Sequence, residues 1–295
     1  MTNMKKLLTA TTALAAAFAS PAFAASEPAE IAPAMWKVAD EDTTVYILGT
    51  FHVVRPGMEW RTPLIEEAIG ASEELILEVS FDPATLAAQA PIMQQMAMDE
   101  EVEPLSVRLD EEEYAKLEAG TKSMGVPIQA LDQFETWFLL PALAAPLLQQ
   151  AGFSATEGID MTLFQNFVDA GKPVGELEGL VKQITFLDDA DEEAQQEILM
   201  TMFADNMAEE LDKGLAYWAA GDLDGLYNSM GFNEMSEEAT AAMLANRNPH
   251  WADWIQQRMA EPGTVLVAGG TGHFMGEHSV IKMLEDRGVT VTRVQ

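Results

Sequence analysis

The chain carries one short unit twice, near its two ends, and that repeat limits what it can fold into. The first copy is Thr44 to His52, T-V-Y-I-L-G-T-F-H; the second is Thr264 to His273, T-V-L-V-A-G-G-T-G-H, with one extra residue before the histidine. An aliphatic, β-branched run closed by glycine reads as a buried strand, and glycine lets the backbone turn at its end without a Cβ clash. Each copy leads into an apolar helical pattern, Leu64 to Ile69 or Val280 to Leu284, and then a further strand, Leu75 to Val79 or Val289 to Val294. Two strand–GxxH–helix–strand units predict an α/β fold with a mixed central sheet flanked by helices. His52 and His273 then both stand just past the carboxyl ends of strands, the edge where open α/β sheets bind ligands.

The rest of the chain fits around that sheet. Met35 to Ala39, a polar turn and Val45 onward predict a β-hairpin feeding the first unit. Thr62-Pro63, Asp82-Pro83 and Asn248-Pro249 each read as an N-cap followed by proline at the first helical position. Pro83 to Asp99 reads as a helix whose Met93, Met96 and Met98 form a core stripe sooner than a peptide-binding surface. An acidic helix over Leu105 to Leu117 and a short strand at Ile128 to Leu131 follow. Next come a helical hairpin or bent helix over Phe134 to Gln150 with Pro141 and Pro146 at its bends, a helix opening at Gly158-Ile159-Asp160, a strand over Lys172 to Glu178 and acidic helices from Asp188 to Met230. No linker rich in Gly, Ser or Pro divides this stretch. Residues 25–295 therefore read as a single domain, with a helical region inserted between the halves of the sheet.

Residues 1–24 read as something else. Lys5-Lys6, an apolar region from Leu7 to Phe18 and the small-x-small site Ala22-Phe23-Ala24 make a secretory signal peptide, so the expected location is periplasmic or secreted. No later stretch is long enough for a membrane span; the nearest, Trp137 to Leu148, is short and holds two prolines. There is no cysteine, which excludes thiolate metal sites and thiol nucleophiles. The net charge of −32 argues against nucleic acid and anionic lipid as partners.

Four histidines occur, and two of them close the repeated units. One such histidine alone is more often a hydrogen-bonded loop residue; a matched pair at a common edge points to metal ligation or general-base work. Glu78 interrupts an otherwise apolar strand, where a carboxylate must be neutralised, paired with a cation or bound to metal. No HExxH is present, so this is not a zincin-type site, and no GxSxG elbow is present.

In order along the chain, Gly49-Thr50-Phe51-His52, Glu78 in L-E-V-S-F-D-P, Gly158-Ile159-Asp160, Gly171 to Glu178, Arg247-Asn248 and Gly270 to Gly276 resemble the motifs of the TraB/GumN proteins, which include the Tiki metalloproteases. The resemblance runs over nearly all of residues 25–295. It implies an erythromycin-esterase/ChaN-like fold and a hydrolytic centre at His52, Glu78 and His273 that holds a divalent metal ion, manganese or cobalt sooner than zinc. Arg247 is expected either to stabilise a developing oxyanion or to form a structural ion pair. Two departures from the family pattern, Glu176 and Asn246, blur the roles of Glu178 and Arg247. Roles for Asp160, Glu178 and Glu277 stay open. The expected function is a periplasmic metal-dependent hydrolase, a peptidase acting on a peptide or protein substrate. The competing readings are a non-catalytic peptide- or metal-binding module and a metal-free acyl hydrolase.

Overall fold

β2 (Thr43–Thr50) and β5 (Gly263–Gly270), the strands of the two repeated units, lie side by side and parallel, with Gly49 opposite Gly269 and Thr50 opposite Gly270. In this computed structural model, which describes residues 31–98 and 102–295, they are the centre of a six-stranded sheet. β1 (Met35–Ala39) is antiparallel to β2, β3 (Glu74–Leu77) is parallel to β5, and β4 (Val174–Glu176) and β6 (Val291–Arg293) form the edges. The strand order is β4-β3-β5-β2-β1-β6. The sheet is mixed and flanked by helices, as the sequence predicts. The expected leader at residues 1–24 lies outside the described residues, and so does Asp99 at the end of the Met-rich segment.

Residues of β2 and β5 alternate between two cores, because side chains of a strand point to opposite faces. On one face Leu48, Leu75, Leu77, Leu266 and Ala268 pack against Ile65, Phe167 and Trp218 from the helices Pro63–Ala71, Ile159–Asp169 and Met207–Ala219. On the other, Val45, Ile47, Val265 and Val267 meet Trp251, Ile255, Val280 and Leu284 from the helices Asn248–Arg258 and Val280–Asp286. A fully buried aliphatic or aromatic side chain contributes roughly 1.5–3 kcal/mol, so burial on both faces fixes the register of these two strands. Helices inserted between the halves build their own cluster around Leu105, Leu117, Leu139, Leu143 and Leu199.

Helix starts follow the residues that cap them. Thr62 accepts from the Ile65 N–H at 3.3 Å and Asp82 from the Thr85 N–H at 2.9 Å, each with proline in the first turn. The third expected cap differs: the helix Asn248–Arg258 has Arg247 at its N-cap position, and the Asn248 side chain is used elsewhere. Ile128–Leu131 is one 3₁₀ turn and not a strand, since it follows Pro127 and buries Ile128 and Leu131 among the inserted helices with no strand to pair with. Asp110 caps a separate helix, Glu111–Ser123, with a capping box that ends the short helix Leu105–Arg108 early. The methionines divide: Met93 and Met96 pack against Trp137 and Ile184, while Met98 is 43% exposed.

Candidate functional site

The strand order β3-β5-β2 sets Glu78, just past β3, and His52, just past β2, on either side of the end of β5. The space between them exists because β5 ends in glycine. A Cβ on Gly270 would lie 2.9 Å from His52 Nε2 and 3.2 Å from Glu78 Oε1, and one on Gly269 would run into the Trp251 ring at 2.7 Å. The extra residue of the second unit is taken up in a 3₁₀ turn, Thr271–Phe274, which carries His273 to the same edge.

The two imidazoles are held alike and housed differently. His52 Nδ1 lies 2.9 Å from Asp160 Oδ2, and Asp160 Oδ1 accepts from the Thr50 hydroxyl at 2.7 Å. Asp160 reaches this place in the first turn of the helix Ile159–Asp169, whose start abuts the His52 carbonyl; a Cβ on Gly158 would lie 2.0 Å from that oxygen. His273 Nδ1 lies 2.5 Å from Asn248 Oδ1, and Asn248 Nδ2 donates to the His278 carbonyl at 2.6 Å. That second bond orients the amide so that its oxygen faces the ring, which assigns the Nδ1–H tautomer to His273. Trp251 stacks on His273 with centroids 3.9 Å apart and planes 24° from parallel. The His273 side chain is 4% exposed and that of His52 61%.

Both rings present Nε2 to one carboxylate. His52 Nε2 is 3.7 Å from Glu78 Oε1 and His273 Nε2 is 3.9 Å from Glu78 Oε2. Glu78 also accepts from the Gly270 N–H, from Gln183 Nε2 at 3.2 Å and from Arg247 Nη2 at 2.9 Å. Arg247 is buried; its Nε and Nη2 both donate to Glu178 Oε1, and Nη1 donates to the Met243 carbonyl at 2.8 Å.

These contacts drive the three titrating groups apart. Burial lowers the His273 pKa, and Arg247 lowers it further, to about 3, so this ring is neutral at neutral pH. Desolvation by the surrounding protein opposes a charge on His52, weakly because most of its side chain faces solvent, and Asp160, by attraction and by its hydrogen bond, and then Glu78 outweigh it and raise the pKa to about 9. Burial alone would raise the Glu78 pKa; its charged and hydrogen-bonding neighbours hold it below the usual carboxylate range. Since His273 is neutral, the charge that keeps Glu78 ionised comes from Arg247 and His52.

The donors are of types that a divalent ion takes and have space beside them, but they are not arranged around one. Each Nδ1 is tied to an oxygen, as metal-bound imidazoles are held, which leaves the Nε2 lone pair free once His52 loses its proton. Separations of 3.7 and 3.9 Å match the about 3–4 Å expected between donors around one ion. Gly270 leaves room beside His52 Nε2 and Glu78 Oε1, and with neutral imidazoles the guanidinium of Arg247 is the one cation beside Glu78 and Glu178. Glu78 is the member not yet disposed for it, because Oε2 is engaged by Arg247. Among the described residues no group of three or more His, Asp or Glu is placed so that it could hold a metal ion as it stands.

All four residues expected at the site, His52, Glu78, His273 and Arg247, are thus in one cluster. Glu78 stands one residue beyond its strand, at the strand's end. His250, His278 and Glu277 are exposed. A cleft of about 390 Å³ opens beside His52 and Glu78, lined also by Val79, Asp160, Met161 and Gln183. The sequence leaves the role of Asp160 open, reads Asn248 as a helix cap and carries no signal for Trp251 or Gln183. The G-x-D spacing of Gly158 to Asp160 carried a usable signal: a glycine for close approach, then an acid in the first helical turn. No helix among the described residues is long and apolar enough to cross a membrane.

The model of the TraB/PrgY/gumN family matches residues 34–293. "Uncharacterized protein YbaP" of Escherichia coli (strain K12) is 28% identical over 184 residues, which are 62% of this chain and 68% of that protein. An "Uncharacterized protein" of Treponema pallidum (strain Nichols) is 22% identical over 270 residues, 85% of this chain and 80% of its own length. No solved structure matches the chain.

Proposed function

Because this chain belongs to the TraB/PrgY/gumN family, we propose that it is a periplasmic metal-dependent hydrolase acting on peptide bonds. One observation carries the reading: two imidazoles, each with Nδ1 fixed on an oxygen, present Nε2 to the two oxygens of a single ionised glutamate at a strand-end cleft. His52, His273 and Glu78 would hold the ion, manganese or cobalt sooner than zinc. A divalent ion bound there supplies Lewis acidity toward a carbonyl oxygen and lowers the pKa of water. Asp160 and Asn248 orient the two rings. Held below the usual carboxylate range, Glu78 suits a ligand better than a general base, whose pKa should lie near the working pH. The cleft lined by Val79, Met161 and Gln183 is where a peptide would lie. The proposal extends to the fold, an erythromycin-esterase/ChaN-like arrangement, supported by the adjacent repeated units and the helices inserted between them.

Protein purified with a chelator and then supplied with manganese, cobalt or zinc should cleave members of a peptide library, and His52→Ala should lose ion binding and turnover together. A second reading, a non-catalytic binding module, is favoured by the Arg247–Glu78 pair, which already neutralises the carboxylate without an ion. Peptide binding with no cleavage under any of the three ions decides for that module.

A further inference from the structure

Arg247 divides its hydrogen bonds unevenly between two buried carboxylates. Its Nε donates to Glu178 Oε1 at 2.9 Å, and Nη2 donates both to that same oxygen and to Glu78 Oε2 at 2.9 Å. Glu178 therefore receives two N–H groups on one oxygen. Its other oxygen, Oε2, is buried and has no hydrogen-bond partner among the described residues. The Glu178 side chain is 0% exposed and that of Arg247 8%. A buried carboxylate oxygen left unpaired is costly, and a guanidinium meets a carboxylate best through two parallel bonds to two oxygens. Such a fork would have Nη2 on Oε2 with Nε still on Oε1, a rearrangement within this one ion pair. Nη1 donates separately to the Met243 carbonyl, 2.8 Å away.

We propose that Glu178 is the release partner for Arg247: when a divalent ion takes Glu78, the guanidinium gives up Glu78 Oε2 and closes a two-bond fork on Glu178. This rests on the metal reading above and adds a positioning role for Glu178 within it. The exchange answers the one misfit in the site. Glu78 cannot serve His52, His273 and an ion while Arg247 holds Oε2, and Nη2 on leaving it would lose one of its two acceptors in a buried site. Glu178 Oε2 provides a replacement acceptor within the Arg247–Glu178 ion pair that is already present. No new atoms are needed.

The test is a double-mutant cycle read by ion affinity, with a fluorescent indicator competing for manganese and no substrate present. Glu178→Gln should weaken manganese binding about tenfold or more, because Arg247 then keeps its hold on Glu78. Arg247→Ala should bind manganese at least as tightly as the wild type, since Glu78 is free from the start. In the Arg247→Ala background, Glu178→Gln should cost little or nothing. A carboxylate that acts only by its charge on the ion predicts something else: the same loss in both backgrounds, and that result overturns the proposal. Should Arg247→Ala melt too early to assay, Arg247→Gln takes its place in the cycle, and the same comparison decides. Wild-type protein that binds none of manganese, cobalt or zinc overturns the metal reading itself, and this inference with it. Ion binding with equal losses overturns this inference alone.

Discussion

The two repeated units share a strand, a glycine and a histidine in matching register, yet their histidines end in opposite electrostatic states. His52 follows Gly49-Thr50-Phe51, leaves 61% of its side chain in solvent and leans on a carboxylate, which holds it protonated to about pH 9. His273 follows Gly270-Thr271-Gly272, sits under Trp251 and faces a neutral amide, and its pKa falls to about 3. The backbone motif therefore decides where an imidazole stands, while the partner of Nδ1 and the cover over the ring decide its charge. In the free protein a cation at His52 stands beside Asp160 and Glu78, while Arg247 pairs with Glu78 and Glu178. The neutral ring at His273 is ready as a donor, whereas His52 must give up its proton to become one.

Removing the cover breaks the comparison most severely. Trp251→Ala deletes a side chain that is 0% exposed, stacks on His273 and fills the space where a Cβ on Gly269 would lie, and should destabilise the protein by about 3–5 kcal/mol in urea unfolding. His52→Ala, by contrast, should change stability little, because an exposed ring contributes little packing. If both substitutions cost the same, the two environments are not distinct.

Filling the gap between the units comes next. Gly270→Ala places a methyl 2.9 Å from His52 Nε2 and 3.2 Å from Glu78 Oε1, so one or both must move. About 1–3 kcal/mol of stability should go, with loss of ion binding seen by calorimetry. Unchanged affinity would show that the ion does not use this gap.

Exchanging the partners sharpens the contrast with smaller effects. Asp160→Asn gives His52 an amide like that of His273, and its pKa should fall well below 9. Asn248→Asp gives His273 a carboxylate, and its pKa should rise from about 3. Imidazole titration followed by NMR on metal-free protein reads both. Shifts that fail to move in opposite directions would mean that burial, not the Nδ1 partner, sets the difference.

The repeat made the strands and the shared edge legible, because an apolar β-branched run ended by glycine has few other solutions. Glu78 was legible for the same reason, as a charge in a place that penalises charge. Asp160 and Asn248 were not assigned their roles. Asp160 is 108 residues from its histidine, and Asn248 looked like a helix cap, which its side chain chemistry equally allows. Ile128–Leu131 misled because a four-residue apolar run suits a strand or a buried turn equally, and only packing against Leu139 and its neighbours chooses. Arg247 was placed at the site by resemblance, but its division between Glu78 and Glu178 depends on atoms from three separate segments.

The smallest expected effect is on stability against pH in chelated protein, and its sign differs for the two histidines. His52 has a folded pKa of about 9, above the unperturbed 6.5, so its contribution is complete below pH 6.5 and is lost as pH rises through 9. His273 has a folded pKa of about 3, below 6.5, so its contribution is complete above pH 6.5 and is lost as pH falls through 3. Glu78, lowered from 4.5 to about 2, adds to the acid limb only. The His52 limb should be worth no more than about 1 kcal/mol, because solvent around an exposed ring screens its attraction to Asp160. With 48 acidic residues titrating on the acid side, the raw curve mixes many groups. The difference between wild type and Asp160→Asn isolates the one of interest. That difference should be steady below pH 6.5, where wild type holds its advantage, and should shrink between 6.5 and 9. A difference that stays constant through pH 9 would mean that His52 is not held protonated by Asp160, and the contrast between the two units would reduce to burial alone.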